Sequence, residues 1–179
     1  MKIYTGGGDD GSTGLYYGGR VPKSAAGPEA YGTVDETVAA LGVARSLADP
    51  ETAARLIDLQ RQLFVVGAEL ATDPANRHKL SEGVSLVTTA MVTALEQRID
   101  RIVEESGMPT EFVVPGGNAL AAALDNARAV GRRAERRAVA AVTGDSQVVP
   151  YLNRLADLLY MEARAAESEW QPVRTEEDQ

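Results

Sequence analysis

Apolar residues recur along this chain at intervals of three and four, the spacing at which side chains share one face of an α-helix. The pattern starts near Pro28 and predicts a first helix over residues 28–47. Asp49-Pro50-Glu51 then reads as a helix start. It combines an N-cap acid, a proline at the first helical position and a carboxylate beside the positive end of the helix dipole. Behind it Leu56, Leu59, Leu63, Phe64 and Leu70 form the stripe of a second helix, which Thr72-Asp73-Pro74 stops. A third helix is expected from near Ser81, with Val84, Val87, Met91, Leu95, Ile99 and Ile102 on one face and Gly107 as its C-cap. Residues 111–114 read as extended, and Pro115-Gly116-Gly117 turns the chain into a fourth helix over residues 119–142. Thr143-Gly144-Asp145 separates it from a fifth, over residues 149–167. Five helices with short connections predict an all-α, single-domain antiparallel five-helix bundle spanning residues 1–172. Residues 1–27 form a glycine-rich loop in front of it, and residues 173–179 an acidic tail expected to be disordered.

Composition narrows the chemistry. Aromatic residues are 5% of the chain against a hydrophobic fraction of 44%, so Ala, Leu and Val must build the core, which suits close-packed helices. The net charge of −8 opposes nucleic-acid binding, and any anion needs a local basic pocket. With no cysteine and His78 as the single histidine, disulfides, thiolate metal sites and multi-histidine zinc sites are excluded. No metal site made of protein side chains is expected. No long apolar run and no signal-peptide core occur, so a cytoplasmic protein without a membrane segment is expected.

Two segments carry candidate chemistry. Thr5-Gly6-Gly7-Gly8-Asp9-Asp10-Gly11-Ser12-Thr13-Gly14-Leu15 resembles a phosphate cradle: glycines let backbone N–H groups turn toward an anion, Ser12 and Thr13 add hydroxyls, and Lys23 follows as a cation. It lacks the Gly-Lys-Ser/Thr of a P-loop, and a flexible tail is the alternative reading. In the fourth predicted helix Arg128, Arg132 and Arg136 recur every fourth residue and share one face with Glu135, while Leu124, Ala127, Ala134 and Ala138 face the core. Three guanidiniums in a row suit a polyphosphate; a solvated face of Glu–Arg pairs is the alternative. Asn153, Arg154 and Asp157 form a further polar patch on the fifth helix, which pattern alone assigns to the surface.

These segments together resemble, in order and spacing, the PduO-type ATP:cob(I)alamin adenosyltransferases. The matching stretches are the loop from Thr5 to Leu15, Gly19-Arg20-Val21-Pro22-Lys23, Ala30-Tyr31-Gly32-Thr33-Val34-Asp35-Glu36, residues 60–71, Phe112-Val113-Val114-Pro115-Gly116-Gly117, Ala127-Arg128, residues 132–137, and Tyr151-Leu152-Asn153-Arg154-Leu155-Ala156-Asp157. The resemblance implies a homotrimer of five-helix bundles with ATP between neighbouring subunits under the N-terminal loop. It implies ATP contacts from Thr5, Gly8, Asp9, Gly11, Ser12, Thr13, Lys23, Arg132, Glu135, Arg136 and Asn153. Asp35 would pair with Arg128 of a neighbour, and Phe112 would close the lower face of the corrinoid. The implied substrates are ATP, with Mg²⁺, and cob(II)alamin reduced to cob(I)alamin. A reductase and an adenosylcobalamin-dependent mutase or dehydratase are the implied partners. The cob(I)alamin cobalt attacks C5′ of ATP, a cobalt–carbon bond forms, the C5′–O bond breaks and triphosphate leaves, so no general base is needed. The sequence departs from the family at Gly6 and Gly7, where a basic residue and a threonine are usual, at Asp125, where histidine is usual, and at Thr37-Val38, where Leu-Asn is usual. A non-catalytic ATP- or corrinoid-binding bundle and a plain helical interaction module are the competing classes.

Overall fold

In the computed structural model of the chain, which describes residues 3–174, a short hairpin precedes five α-helices. The hairpin pairs β1 (Ser12–Gly14) antiparallel with β2 (Arg20–Pro22), Thr13 lying opposite Val21. Strands of three residues are too short for an alternating pattern to show, and the sequence reading has a loop there. The helices are α1 (Ala26–Ser46), α2 (Pro50–Leu70), α3 (Thr89–Ser106), α4 (Ala119–Val139) and α5 (Val148–Ala165). A 3-10 helix, Pro74–Lys79, follows α2. Residues 175–179, most of the expected acidic tail, lie outside the described residues.

Local chemistry sets the boundaries. Asp49 caps α2 as expected, its Oδ1 accepting from the amides of Glu51 at 2.9 Å and Thr52 at 3.0 Å. The Thr52 hydroxyl, then the Thr52 amide, hold the Asp49 carboxyl below its ordinary range. Asn118 caps α4 through the Ala121 amide at 2.9 Å. Helix α3 begins at Thr89 rather than near Ser81. The amides of Val84, Ser85 and Leu86 turn back onto the Ser81 carbonyl, and the Ser85 hydroxyl accepts from the Ser81 amide at 3.0 Å, which closes a turn instead of a helix. Val84 is therefore exposed, whereas Val87 is buried from the turn.

The side-chain pairs between helices give their directions. Glu29 meets Arg137 and Glu36 meets Arg133, so α1 and α4 run antiparallel. Asp125 meets Arg164 and Glu135 meets Asn153, so α4 and α5 do too. Glu96 meets Arg154 and Glu162 meets Arg98, so α3 lies parallel to α5 and both run opposite to α4. Leu41, Leu56, Leu63, Leu124, Ala127, Ala134, Tyr151, Leu155 and Leu159 are wholly buried between these helices. Ala and Leu on α4 let it approach both α1 and α5, as the low aromatic content requires. Phe64, placed on the core stripe of α2 by its spacing, instead stands 65% exposed.

Candidate functional site

The N-terminal hairpin is built around short polar contacts. The Ser12 amide and hydroxyl donate to Asp10 Oδ1 at 2.9 and 2.8 Å and hold that carboxyl below its ordinary value. Arg20 donates from Nε to the Ser12 hydroxyl at 3.0 Å and from Nη2 to the Gly7 carbonyl. The Ser12 proton is thus committed to Asp10. The Thr5 hydroxyl accepts from the Gly7 amide at 3.4 Å, and the Lys23 amide donates to the Gly11 carbonyl at 2.9 Å. A Cβ on Gly8 would lie 3.2 Å from both Lys23 Nζ and the Ser12 carbonyl oxygen, so the ammonium sits close over the loop backbone at this glycine. Gly6 and Gly11 have φ of 70° and 81°, a left-handed backbone that glycine adopts without strain. The glycines therefore shape a turn that gathers Thr5, Gly8, Asp9, Gly11, Ser12, Thr13 and Lys23 on one exposed hairpin. Tyr17 donates to the Lys79 carbonyl at 2.9 Å and Tyr16 N to the Ala71 carbonyl at 2.9 Å, so the hairpin docks at the C-terminal end of α2.

Helix α4 divides its arginine run by helical period. Arg133 and Arg137 turn to α1 and pair with Glu36 and Glu29. Arg128, Arg132 and Arg136 occupy the neighbouring face. Arg136 Nη1 donates to the Arg132 carbonyl at 3.0 Å, and among the described residues the Arg132 side chain has no carboxylate partner. Glu135 Oε1 accepts from Asn153 Nδ2 at 2.9 Å, and Arg154 bridges Asn153 Oδ1 at 2.5 Å to Glu96 at 2.9 Å. The polar patch on α5, which the sequence pattern alone leaves as surface, thereby joins the α4 arginines. A groove of about 410 Å³ between α3, α4 and α5 is lined by Arg128, Arg132, Arg154, Tyr160, Ile99 and Met108.

Phe112 is not a core residue, although a phenylalanine before a turn most often is. Its side chain is 86% exposed. Its backbone is held: the Phe112 carbonyl accepts from Val173 N at 2.8 Å, and Val114 N donates to the Gln171 carbonyl at 2.8 Å. The expected extended stretch is one side of this pairing, with Val113 bridged to Pro172.

The structure leaves two expected groupings apart within one chain. The hairpin from Thr5 to Lys23 makes no hydrogen bond to Arg132, Glu135, Arg136 or Asn153 among the described residues. Asp35 lies exposed on α1, on a groove of about 440 Å³ with Tyr31, Val38 and Phe64, whereas Arg128 binds Asp125. Sequence reasoning missed the ion pairs of Asp125, Arg164 and Glu167. The signal available was the charged pair Glu162 and Arg164 inside the otherwise apolar run from Leu158 to Ala166.

The sequence profile of the cobalamin adenosyltransferases matches residues 3–166, and the chain belongs to that family. It is 41% identical over 171 residues to a corrinoid adenosyltransferase of Citrobacter freundii, covering 93% of this chain and 96% of that one. It is 40% identical to the corrinoid adenosyltransferase PduO of Salmonella typhimurium over 94% of this chain, and spans about half, 51%, of that longer relative. Among solved structures, a variant PduO-type ATP:corrinoid adenosyltransferase from Lactobacillus reuteri complexed with cobalamin and ATP superposes with a TM-score of 0.86 at 32% identity, covering 97% of each chain. A second variant of that enzyme, complexed with ATP, gives a TM-score of 0.82 at 33% identity, covering 97% of this chain and all of the other. Among the described residues no helix is long and apolar enough to cross a membrane.

Proposed function

We propose that this chain is an ATP:cob(I)alamin adenosyltransferase, moving the 5′-deoxyadenosyl group of ATP to cobalt with release of triphosphate. The observation that carries this reading is the exposed, backbone-anchored ring of Phe112, in a chain matched along nearly its whole length by relatives named for the reaction. An apolar ring that stabilises nothing inside the fold is suited to cover a large apolar ligand face. Lying under the corrinoid, it excludes water and the nucleotide base from the lower position of cob(II)alamin and so eases reduction to cob(I)alamin.

The remaining residues take roles by charge and place. Lys23, Arg132 and Arg136 bind the triphosphate and stabilise the charge that grows on it as the C5′–O bond breaks. Thr5, Gly8, Asp9, Gly11, Ser12 and Thr13 supply the loop that closes over the nucleotide, and Glu135 with Asn153 orients it. Mg²⁺ would arrive on the triphosphate; the described residues gather no cluster of three or more His, Asp or Glu side chains to hold it separately. The nucleotide-binding groups occupy two separate parts of one chain, which supports a homotrimer whose sites form between subunits. Asp35 of one subunit then pairs with Arg128 of the next. The exposed Phe64 groove beside Asp35 supports the same surface as that interface. Residues 1–172 are the single catalytic domain in this reading, cytoplasmic and fed by a separate reductase.

One assay tests it. Protein, ATP, Mg²⁺ and chemically reduced cobalamin, mixed without oxygen, should yield adenosylcobalamin and triphosphate in equal amounts. Binding of both ligands without turnover would leave a carrier, and release of ADP and phosphate would replace the reaction.

A further inference from the structure

Arg164, on the last turn of α5, is 1% exposed, and it stands in the middle of a buried ladder of charges. Its Nη2 donates to Asp125 Oδ2 at 2.5 Å, and Asp125 Oδ1 accepts from Arg128 Nε at 3.1 Å. On the other side Arg164 Nε faces Glu167 Oε2 at 2.9 Å, and Glu167 Oε1 accepts from the Gly117 amide at 3.0 Å. The order Arg128, Asp125, Arg164, Glu167 alternates in sign, so each charge is neutralised by its neighbour. Tyr160 lies beneath both guanidiniums, its ring centre 5.7 Å from that of Arg128 and 5.1 Å from that of Arg164.

Stability alone does not call for this arrangement, because a buried ion pair is often matched or exceeded by apolar side chains of the same volume. Its ends are what distinguish it. One end is Arg128. The other is Gly117, against which Glu167 sits so closely that a Cβ would lie 2.7 Å from Oε1. Asn118 adds a second tie, donating to the Ala166 carbonyl at 2.6 Å. The segment from Phe112 to Gly117 is therefore pinned at its start by residues 171–173 and at its end by Glu167.

We infer that Arg164 is a positioning residue: through Asp125 it sets the guanidinium of Arg128, and through Glu167 and Gly117 it sets the segment that carries Phe112, holding the two in register. This rests on the roles given above to Arg128 and Phe112. The ladder uses only Nε of Arg128 and leaves both Nη groups for a partner. Its physical point is rigidity, since ligand exclusion and in-line attack both fail when groups shift by about 1 Å.

Three variants test it: Glu167→Gln and Asp125→Asn, which keep shape and remove one charge each, and Arg164→Lys, which keeps charge and removes the fork. In ligand-free protein, amide exchange over residues 112–118 should quicken by about tenfold or more in Glu167→Gln, with the α1 and α2 cores unchanged. With ATP and cob(II)alamin, the four-coordinate cobalt signal should fall about threefold or more in all three, while the ATP dissociation constant stays within about twofold. Unchanged exchange together with an unchanged cobalt signal in any folded variant overturns the inference. So does failure of all three to fold, which would make the ladder a folding element only. If the parent protein itself gave no four-coordinate cobalt with ATP, the adenosyltransferase reading would fall. The exchange measurement would then still decide whether Glu167 holds the 112–118 segment.

Discussion

At the scale of single residues, Phe112 departs most from what its type leads one to expect. A phenylalanine side chain moved from water to a core stabilises a fold by about 1.5–3 kcal/mol, and here that gain is forgone. Phe112→Ala should accordingly change the unfolding free energy by less than about 1 kcal/mol, against the ~3–5 kcal/mol lost when a buried phenylalanine is truncated. Adenosylation starting from cob(II)alamin and a mild reductant should collapse in the variant, while chemically prepared cob(I)alamin restores much of the transfer. Equal loss from both oxidation states, in a variant melting normally, would remove the lower-face role. Glycine shows the same principle in the hairpin, where Gly8 matters for what it leaves out, a Cβ that would crowd Lys23 and the Ser12 carbonyl at 3.2 Å.

At the scale of the element, α4 shows how a helix assigns neighbouring charges to different tasks. Arg132 and Arg133 are adjacent in sequence, yet about 100° of helical rotation points Arg133 to Glu36 and Arg132 to the α3–α4–α5 groove. Arg133 and Glu36 are both about half exposed, so their pair is screened, and Arg133→Ala should cost at most about 1 kcal/mol of stability. ATP affinity should not change in that variant. Arg132→Ala should weaken ATP binding by about 1–3 kcal/mol through the loss of charge-assisted bonds, without loss of stability. Titration calorimetry separates the two outcomes, and equal losses at 132 and 133 would mean that the triphosphate does not lie along this face.

At the scale of the whole molecule, the groups assigned to one active site do not converge in one chain. The hairpin is tied to the end of α2, the α4 arginines face α5, and Asp35 and Arg128 open onto different grooves. Native mass spectrometry should therefore show a trimer at micromolar concentration. Asp35→Asn and Arg128→Ala should each shift it toward monomer and lower turnover, because each leaves a charge at the interface without its partner. A trimer unaffected by both changes would place the subunit contact elsewhere.

What the sequence by itself determined is whatever depends on neighbours a few residues away. The start of α2 at Asp49, the split of α4 into arginine and alanine faces and the turn at Gly116-Gly117 follow from capping chemistry and the 3.6-residue period. The family motifs carried the candidate site, because they are read in chain order. Tertiary structure decided the rest. The late start of α3 depends on Ser85 closing a turn on Ser81 and on Glu69, from α2, binding the Val87 amide at 2.7 Å. The exposure of Phe64 and Phe112 depends on which surfaces the other helices cover. The pairing of Arg164 with Asp125, 39 residues apart, depends on α4 and α5 lying antiparallel at the right offset. Periodicity places a side chain on a face of its own helix; only packing decides what that face meets, and with it whether a charge or a ring there serves the fold or a ligand.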